Sequence, residues 1–180
     1  MALTLTKLLL FSFLVSSTVL TAKSELLISK PEKLTRFHVY VQVKTAGSNA
    51  TVAVVAQAST TNQSATSFGL VDVFDNALTA GPEMSSKNVG RVQGVEAFAS
   101  QSEMALSTSQ NFVFTEGKYN GSSLTVVGRN VLSLKVREMP IVGGTGVFRM
   151  ARGYAQTSTY SSDLKNGLLV VVYDFFVYHY

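Results

Sequence analysis

The sequence predicts an all-β domain behind a cleavable leader, and three observations carry that prediction. Apolar and polar residues alternate with a period of two in nine short stretches. Residues that favour turns separate those stretches, and no 11-residue window shows helical periodicity. Eight or nine strands at such spacing in one domain fit an antiparallel barrel or a sandwich.

In chain order, residues 1–22 carry Lys7, then the apolar run "LLLFSFLV", then small polar residues. That is the layout of a secretory signal peptide, cut after Ala22 or Ser24. The run is too short to span a bilayer comfortably, and no second apolar stretch of ~20 residues follows, so no membrane span is expected. Residues 23–35 are polar, contain Pro31 and read as an N-terminal arm, which leaves 36–180 as the domain. Its strand candidates are 36–43, 51–58, 68–74, 90–100, 105–115, 122–128, 131–138, 148–160 and 167–180. The segments between them, among them "TAGSNA", "EGKYNG", "PIVGGTG" and "SSDLKN", hold the Gly, Asn, Asp and Pro that turns require. The last strand is apolar on both faces: Leu168, Val170, Val172, Phe176 and Tyr178 on one, Leu169, Val171, Tyr173, Phe175 and Val177 on the other. A barrel wall covers only one of these, so a homo-oligomer, dimer or trimer, is expected.

The totals narrow the class. About 158 residues behind the leader suffice for one domain that buries roughly two-thirds of its unfolded surface. Without Lys7, 14 of the 15 basic residues remain against 11 acidic ones, scattered rather than in runs. That mild excess suits an acidic polysaccharide matrix and does not suggest nucleic acid. Cysteine is absent on an oxidising route, so the domain relies on its core. Asn49, Asn62 and Asn120 each head an Asn-X-Ser/Thr triplet and are candidate glycan acceptors.

Two charges interrupt apolar faces. Leu132, Leu134 and Val136 share a face with Glu138; Phe148, Met150 and Tyr154 share one with Arg152. A hairpin across "PIVGGTG" would deliver both charges into one apolar space, where desolvation demands that they pair or face a wet cavity. Two readings stay open: a structural ion pair, or a ligand cup with Glu138 moving a proton and Arg152 anchoring an anion or phenolate. The cluster Gly143, Gly144, Gly146 lacks both the GxGxxG spacing and the Walker Lys-Ser/Thr ending; a tight turn with positive φ at one of them explains it better. His38 and His179 are too few for a typical zinc site, and no metal or redox centre is expected. Arg91 and the segment Glu116, Lys118, Tyr119 flank glycine turns and read as solvated loop tips or as a cavity rim. Aromatic residues, 11 Phe and 7 Tyr, either fill the core or line a pocket for planar ligands.

"SFGLVDVFDNALTAGP", "SSKNVGRVQGVEAFAS", "NFVFTEGKYNGSSLTVVGRN" and "VREMPIVGGTGVFRMARGYA" together resemble the plant dirigent proteins, from about residue 34 to the C-terminus. The resemblance implies an eight-stranded antiparallel β-barrel with one cavity, trimeric and secreted to the apoplast. It implies stereocontrol of phenoxy-radical coupling in lignan biosynthesis. A separate laccase or peroxidase makes radicals from a monolignol such as coniferyl alcohol, and the dirigent protein, without a cofactor, fixes the reacting face. Some relatives instead act on quinone-methide intermediates, including dehydration of isoflavanols to pterocarpans; a non-catalytic wall or defence protein is a third expectation. The acidic position before the GGTG turn matches Glu138 and the Arg of the family's ARG segment matches Arg152, with Tyr154, Phe148, Phe114 and Arg91 as pocket candidates. Where the family's first strand commonly carries Asp, this chain has Val43 after Gln42.

Overall fold

The computed structural model describes residues 31–180. The expected signal peptide over 1–22, and the arm up to residue 30, lie outside the described residues. Nine strands follow: β1 (Lys33–Lys44), β2 (Val52–Gln57), β3 (Leu70–Thr79), β4 (Asn88–Phe98), β5 (Ala105–Phe114), β6 (Ser123–Val131), β7 (Arg137–Thr145), β8 (Arg152–Asp163) and β9 (Leu168–His179). Among the described residues no helix is long and apolar enough to cross a membrane.

The strands are antiparallel neighbours in the order β1-β9-β8-β7-β6-β5-β4-β3-β2, and β1 also pairs with β3. That last pairing, from Tyr40 opposite Thr79 to Gln42 opposite Ala77, closes eight strands into a barrel. β2 takes the rest of the same β3 edge, from Val52 opposite Phe74 to Gln57 opposite Leu70, and is the additional strand. The barrel therefore replaces the sandwich left open by the strand count. Closure shortens the unpaired edges that an open sheet of this size would expose, leaving the outer edge of β2 without a neighbouring strand among the described residues.

Inward positions alternate along each strand, and the two ends of the barrel are filled differently. At one end Phe37, Phe114, Tyr119, Phe148 and Phe175 form an aromatic plug. Phe37 lies 5.0 Å from the Phe175 centroid, and Tyr119 lies 4.9 Å from that of Phe148. Phe148 and Phe175 are almost wholly buried. Each such side chain contributes about 1.5–3 kcal/mol by leaving water, and the ring pairs add a little more. His179 closes this end. Its ring nitrogens lie 2.9 Å from Thr35 Oγ1 and 2.8 Å from the Val147 carbonyl, which accepts.

Two stretches depart from the expected layout, and together they move the predicted charges. The segment 131–138 is not one strand: β6 ends at Val131, residues 132–136 turn, and β7 runs from Arg137 through Pro140 into the glycines. Leu134 and Val136 are exposed in that turn, so their apolar side chains marked the outer face here. Pro140 is tolerated in the strand because pairing with β6 has ended at Ile141. The expected strand over 148–160 begins only at Arg152. A 3-10 turn over Gly146–Phe148 and Met150 at φ 62° intervene and reset the alternation, so Phe148 is inside and Met150 outside. Within the glycine cluster, Gly146 takes the positive φ, +60°. Gly144 serves close approach: a Cβ there would stand 2.6 Å from the Ser123 carbonyl oxygen.

Candidate active site in the barrel mouth

At the end opposite the aromatic plug lies a cavity of about 210 Å³. Its wall is mainly Val, Leu and Phe from β1, β4, β5 and β9, with Val43 where an Asp was expected from the resemblance. Into it project Asp72 and Asn76 of β3, Glu96 of β4, Gln110 of β5, Asn130 of β6, Arg137 of β7 and Tyr173 of β9.

Asp72 and Glu96 stand directly opposite each other in the β3–β4 register, which sets their Cβ atoms about 5 Å apart. Two carboxyls at that spacing in an apolar wall resist ionising together. Burial pushes the Asp72 carboxyl up to about 6. Burial, and then the neighbouring charge of Asp72, push Glu96 up to about 7, against a hydrogen bond from Thr108 that favours the carboxylate. The pair therefore holds a mobile proton close to neutrality. One Asp72 oxygen, Oδ1, and Asn130 Oδ1 are buried without a hydrogen-bond partner. Each such orphan costs about 1–3 kcal/mol, so the belt is built at the expense of stability.

Arg137 faces the acids. In the closed order of eight strands, β7 stands across the barrel from β3. Arg137 is 5% exposed and hydrogen-bonds through Nε to the Thr157 carbonyl at 3.5 Å and through a terminal nitrogen to Thr159 Oγ1 at 3.3 Å. Neither acceptor is a carboxylate, so its charge is left to act on whatever enters. Burial lowers its pKa below the ordinary guanidinium value, partly opposed by Tyr173, and it stays a cation. Tyr173 donates to Gln110 Oε1 at 2.8 Å, and burial pushes its phenol up to about 12.

The residues singled out from sequence lie elsewhere. Glu138 is on the outer surface, where it accepts a 3.2 Å hydrogen bond from Gln156 Nε2. Arg152 is also outside, its guanidinium 5.4 Å from the centroid of the Tyr178 ring. The expectation that both project into the barrel is corrected: counting by two ran through a turn on each side and chose the wrong face. Tyr154 points outward and stacks on Phe176 at 4.7 Å. Phe114 and Phe148 are inside but belong to the plug rather than the cavity lining. Arg91 lies on the outer face of β4 and pairs with Asp75. Asn49, Asn62 and Asn120 are all exposed. Among the described residues no group of three metal-ligating side chains is assembled.

The inward acids were legible by the same test that selected Glu138. Asp72 shares a face with Phe74, Glu96 with Val92 and Phe98, and Arg137 with Met139 and Ile141. Asp72 and Glu96 are each a lone charge on an apolar face; Arg137 is not, because counting by two joins it to Lys135 and Ser133, which lie in the turn before β7.

A family model described as Dirigent-like protein matches residues 34–178. The chain belongs to the dirigent family. It is 47% identical over 150 residues to Dirigent protein 21 of Arabidopsis thaliana, covering 83% of this chain and 79% of that one. It is 42% identical over 173 residues to Pterocarpan synthase 1 of Glycine max, covering 96% and 93%. The solved structure of the pterocarpan synthase dirigent protein GePTS1 superimposes with a TM-score of 0.76 at 44% identity, over 84% of this chain and 88% of that one. That solved dirigent protein shares the barrel just described.

Proposed function

We propose that this dirigent protein binds one phenolic alcohol in the barrel mouth and directs the formation and capture of its quinone methide. The observation that carries the reading is the Asp72–Glu96 pair facing Arg137 across an apolar cavity. The substrate's phenol gives its proton to water at the mouth, which returns it to the quinone oxygen at the end, and Arg137 offsets the negative charge left on that oxygen meanwhile. The protonated carboxyl of the pair gives its proton to the benzylic hydroxyl, which leaves as water, and the phenolate electrons close the quinone methide. A second hydroxyl of the same molecule then adds to the electrophilic carbon and surrenders its proton to the carboxylate, while the quinone oxygen becomes phenol again. The net change is loss of one water. The walls fix which face is attacked.

Cavity size favours one substrate molecule. At about 210 Å³ it is smaller than the ~300–1,000 Å³ of pockets that enclose drug-sized ligands, which suits one molecule better than two coupling radicals. The likeness to proteins named pterocarpan synthase supports the same choice, and an isoflavanol is the substrate class to try first. Secretion to the apoplast and self-association belong to this reading too, the latter supported by the half-exposed outer residues Tyr154, Phe176 and Tyr178. The test is turnover of an isoflavanol without any oxidase, followed by chiral chromatography. Wild type should release water and one enantiomer, and Glu96→Gln should lower kcat about 100-fold. Stereoselective product from a monolignol only when laccase is present, with no isoflavanol turnover, would replace this reading by radical coupling.

A further inference from the structure

Two buried polar residues on β5 have no role in the scheme above. Thr108 and Gln110 are 2% and 5% exposed, on an inward face otherwise made of Leu106, Phe112 and Phe114. Their hydrogen bonds run one way. Tyr173 donates its hydroxyl proton to Gln110 Oε1 at 2.8 Å. The other end of the same amide, Nε2, donates to Thr108 Oγ1 at 3.1 Å. Thr108, occupied there as an acceptor, stands directly opposite Glu96 in the β4–β5 register, and its hydroxyl favours that carboxylate.

We infer that Thr108 and Gln110 are positioning residues: with Tyr173 they form a directed chain from β9 through β5 to β4 that aims and tunes the Glu96 carboxylate. The inference rests on the reading of Glu96 as a proton-transfer group. Aligned donors polarise one another, so the Thr108 hydroxyl acts on the Glu96 carboxylate more strongly than an isolated hydroxyl would. The chain orients rather than conducts, because the Gln110 amide cannot pass a proton on without tautomerising. Around Glu96 the ionisable groups are Asp72 from β3, Arg137 from β7 and Tyr173 from β9. Burial and Asp72 favour the protonated acid; the Thr108 bond opposes them and keeps the proton exchangeable. Turning the Gln110 amide over would make Thr108 a donor to Oε1 and turn its proton away from Glu96.

The test separates the chain from the activity. Carbon-13 labelling of glutamate carboxyls gives the Glu96 titration by NMR, assigned with Glu96→Gln, with no substrate present. Thr108→Val should raise the Glu96 midpoint by about 1 pH unit, a tenfold change in proton affinity. Gln110→Met should raise it by less, and Thr108→Ser should return it to the wild-type value. Should Thr108→Val fold poorly, Gln110→Met and Tyr173→Phe give the same graded displacement. An unchanged midpoint in the folded variants overturns the inference. The kcat–pH profile then tests the reading beneath it. Midpoints that move in NMR while the profile stays fixed would leave the chain intact and remove Glu96 from catalysis.

Discussion

Raising the pH from 5 to 8 should destabilise this barrel, and the acids in its mouth set the amount. Both carboxyls bind protons more tightly folded than unfolded, Asp72 at about 6 against 3.8 and Glu96 at about 7 against 4.5. Their contribution is present in full below the unfolded values and is lost as pH rises through the folded ones. Between pH 5 and 8, Asp72 loses about one pH unit of linkage and Glu96 about two. At 1.36 kcal/mol each, that is about 4 kcal/mol. Asp75 and Asp163, whose pKa values are lowered by hydrogen bonds from Arg91 and Asn166, act in the opposite direction but only below the ordinary aspartate value. Urea unfolding at several pH values measures the effect, in wild type and in the Asp72→Asn, Glu96→Gln double variant. The wild-type stability should fall by a few kcal/mol across the window, and the double variant's profile should be nearly flat there. Parallel profiles would refute the assignment of these two groups as buried proton holders.

Arg137→Met should fold and retain substrate binding while kcat falls by about 10²–10³, as removal of one charge-stabilising donor does elsewhere; steady-state kinetics with the isoflavanol read it. Glu138→Gln and Arg152→Gln, both on the outer surface, should leave turnover within threefold and stability within about 0.5 kcal/mol, read by the same kinetics and by urea. Phe148→Ala removes the centre of the aromatic plug and should cost about 3–5 kcal/mol in urea unfolding, with little change in the Asp72–Glu96 titration at the other end.

The period-two pattern located the strands because one face of a closed barrel is buried along its whole length, as β3 and β5 show. It failed where the rule of burial was broken locally. Leu132, Leu134 and Val136 are apolar yet exposed, because they lie in the turn between β6 and β7, where Leu132 alone of the three reaches the cavity. "PIVGG" looked like a loop because of its Pro and Gly, but those residues are in β7, where proline lies beside an ended ladder and glycine permits close approach to Ser123. Each error shifted the face by one residue, and one residue is the whole difference between barrel interior and solvent. The choice of Glu138 over Arg137 follows from that alone. The strand β9 is apolar on both of its faces. Val177, Phe175 and Tyr173 fill the interior, while Phe176 and Tyr178 carry the outer aromatic contacts.

The inward faces also explain why an acid pair survives here. Read from the plug toward the mouth, β5 presents Phe114, Phe112, Gln110, Thr108 and Leu106, and β9 presents Val177, Phe175, Tyr173, Val171 and Leu169. On the mouth side of the acids, Phe98, Leu106, Leu132 and Leu169 restore an apolar rim. The polar belt is thus held between two apolar layers. Water reaches it poorly, which raises Asp72 and Glu96 and leaves two side-chain oxygens unpaired. A single apolar layer on the plug side would leave the carboxyls wet and ordinary; a second layer without an opening would bury them uselessly. What passes the rim and satisfies the belt must be apolar over most of its surface and carry hydroxyls at defined places. A phenolic alcohol has that form, and on the reading proposed above its hydroxyls would supply the missing donors and return the stability surrendered at the belt.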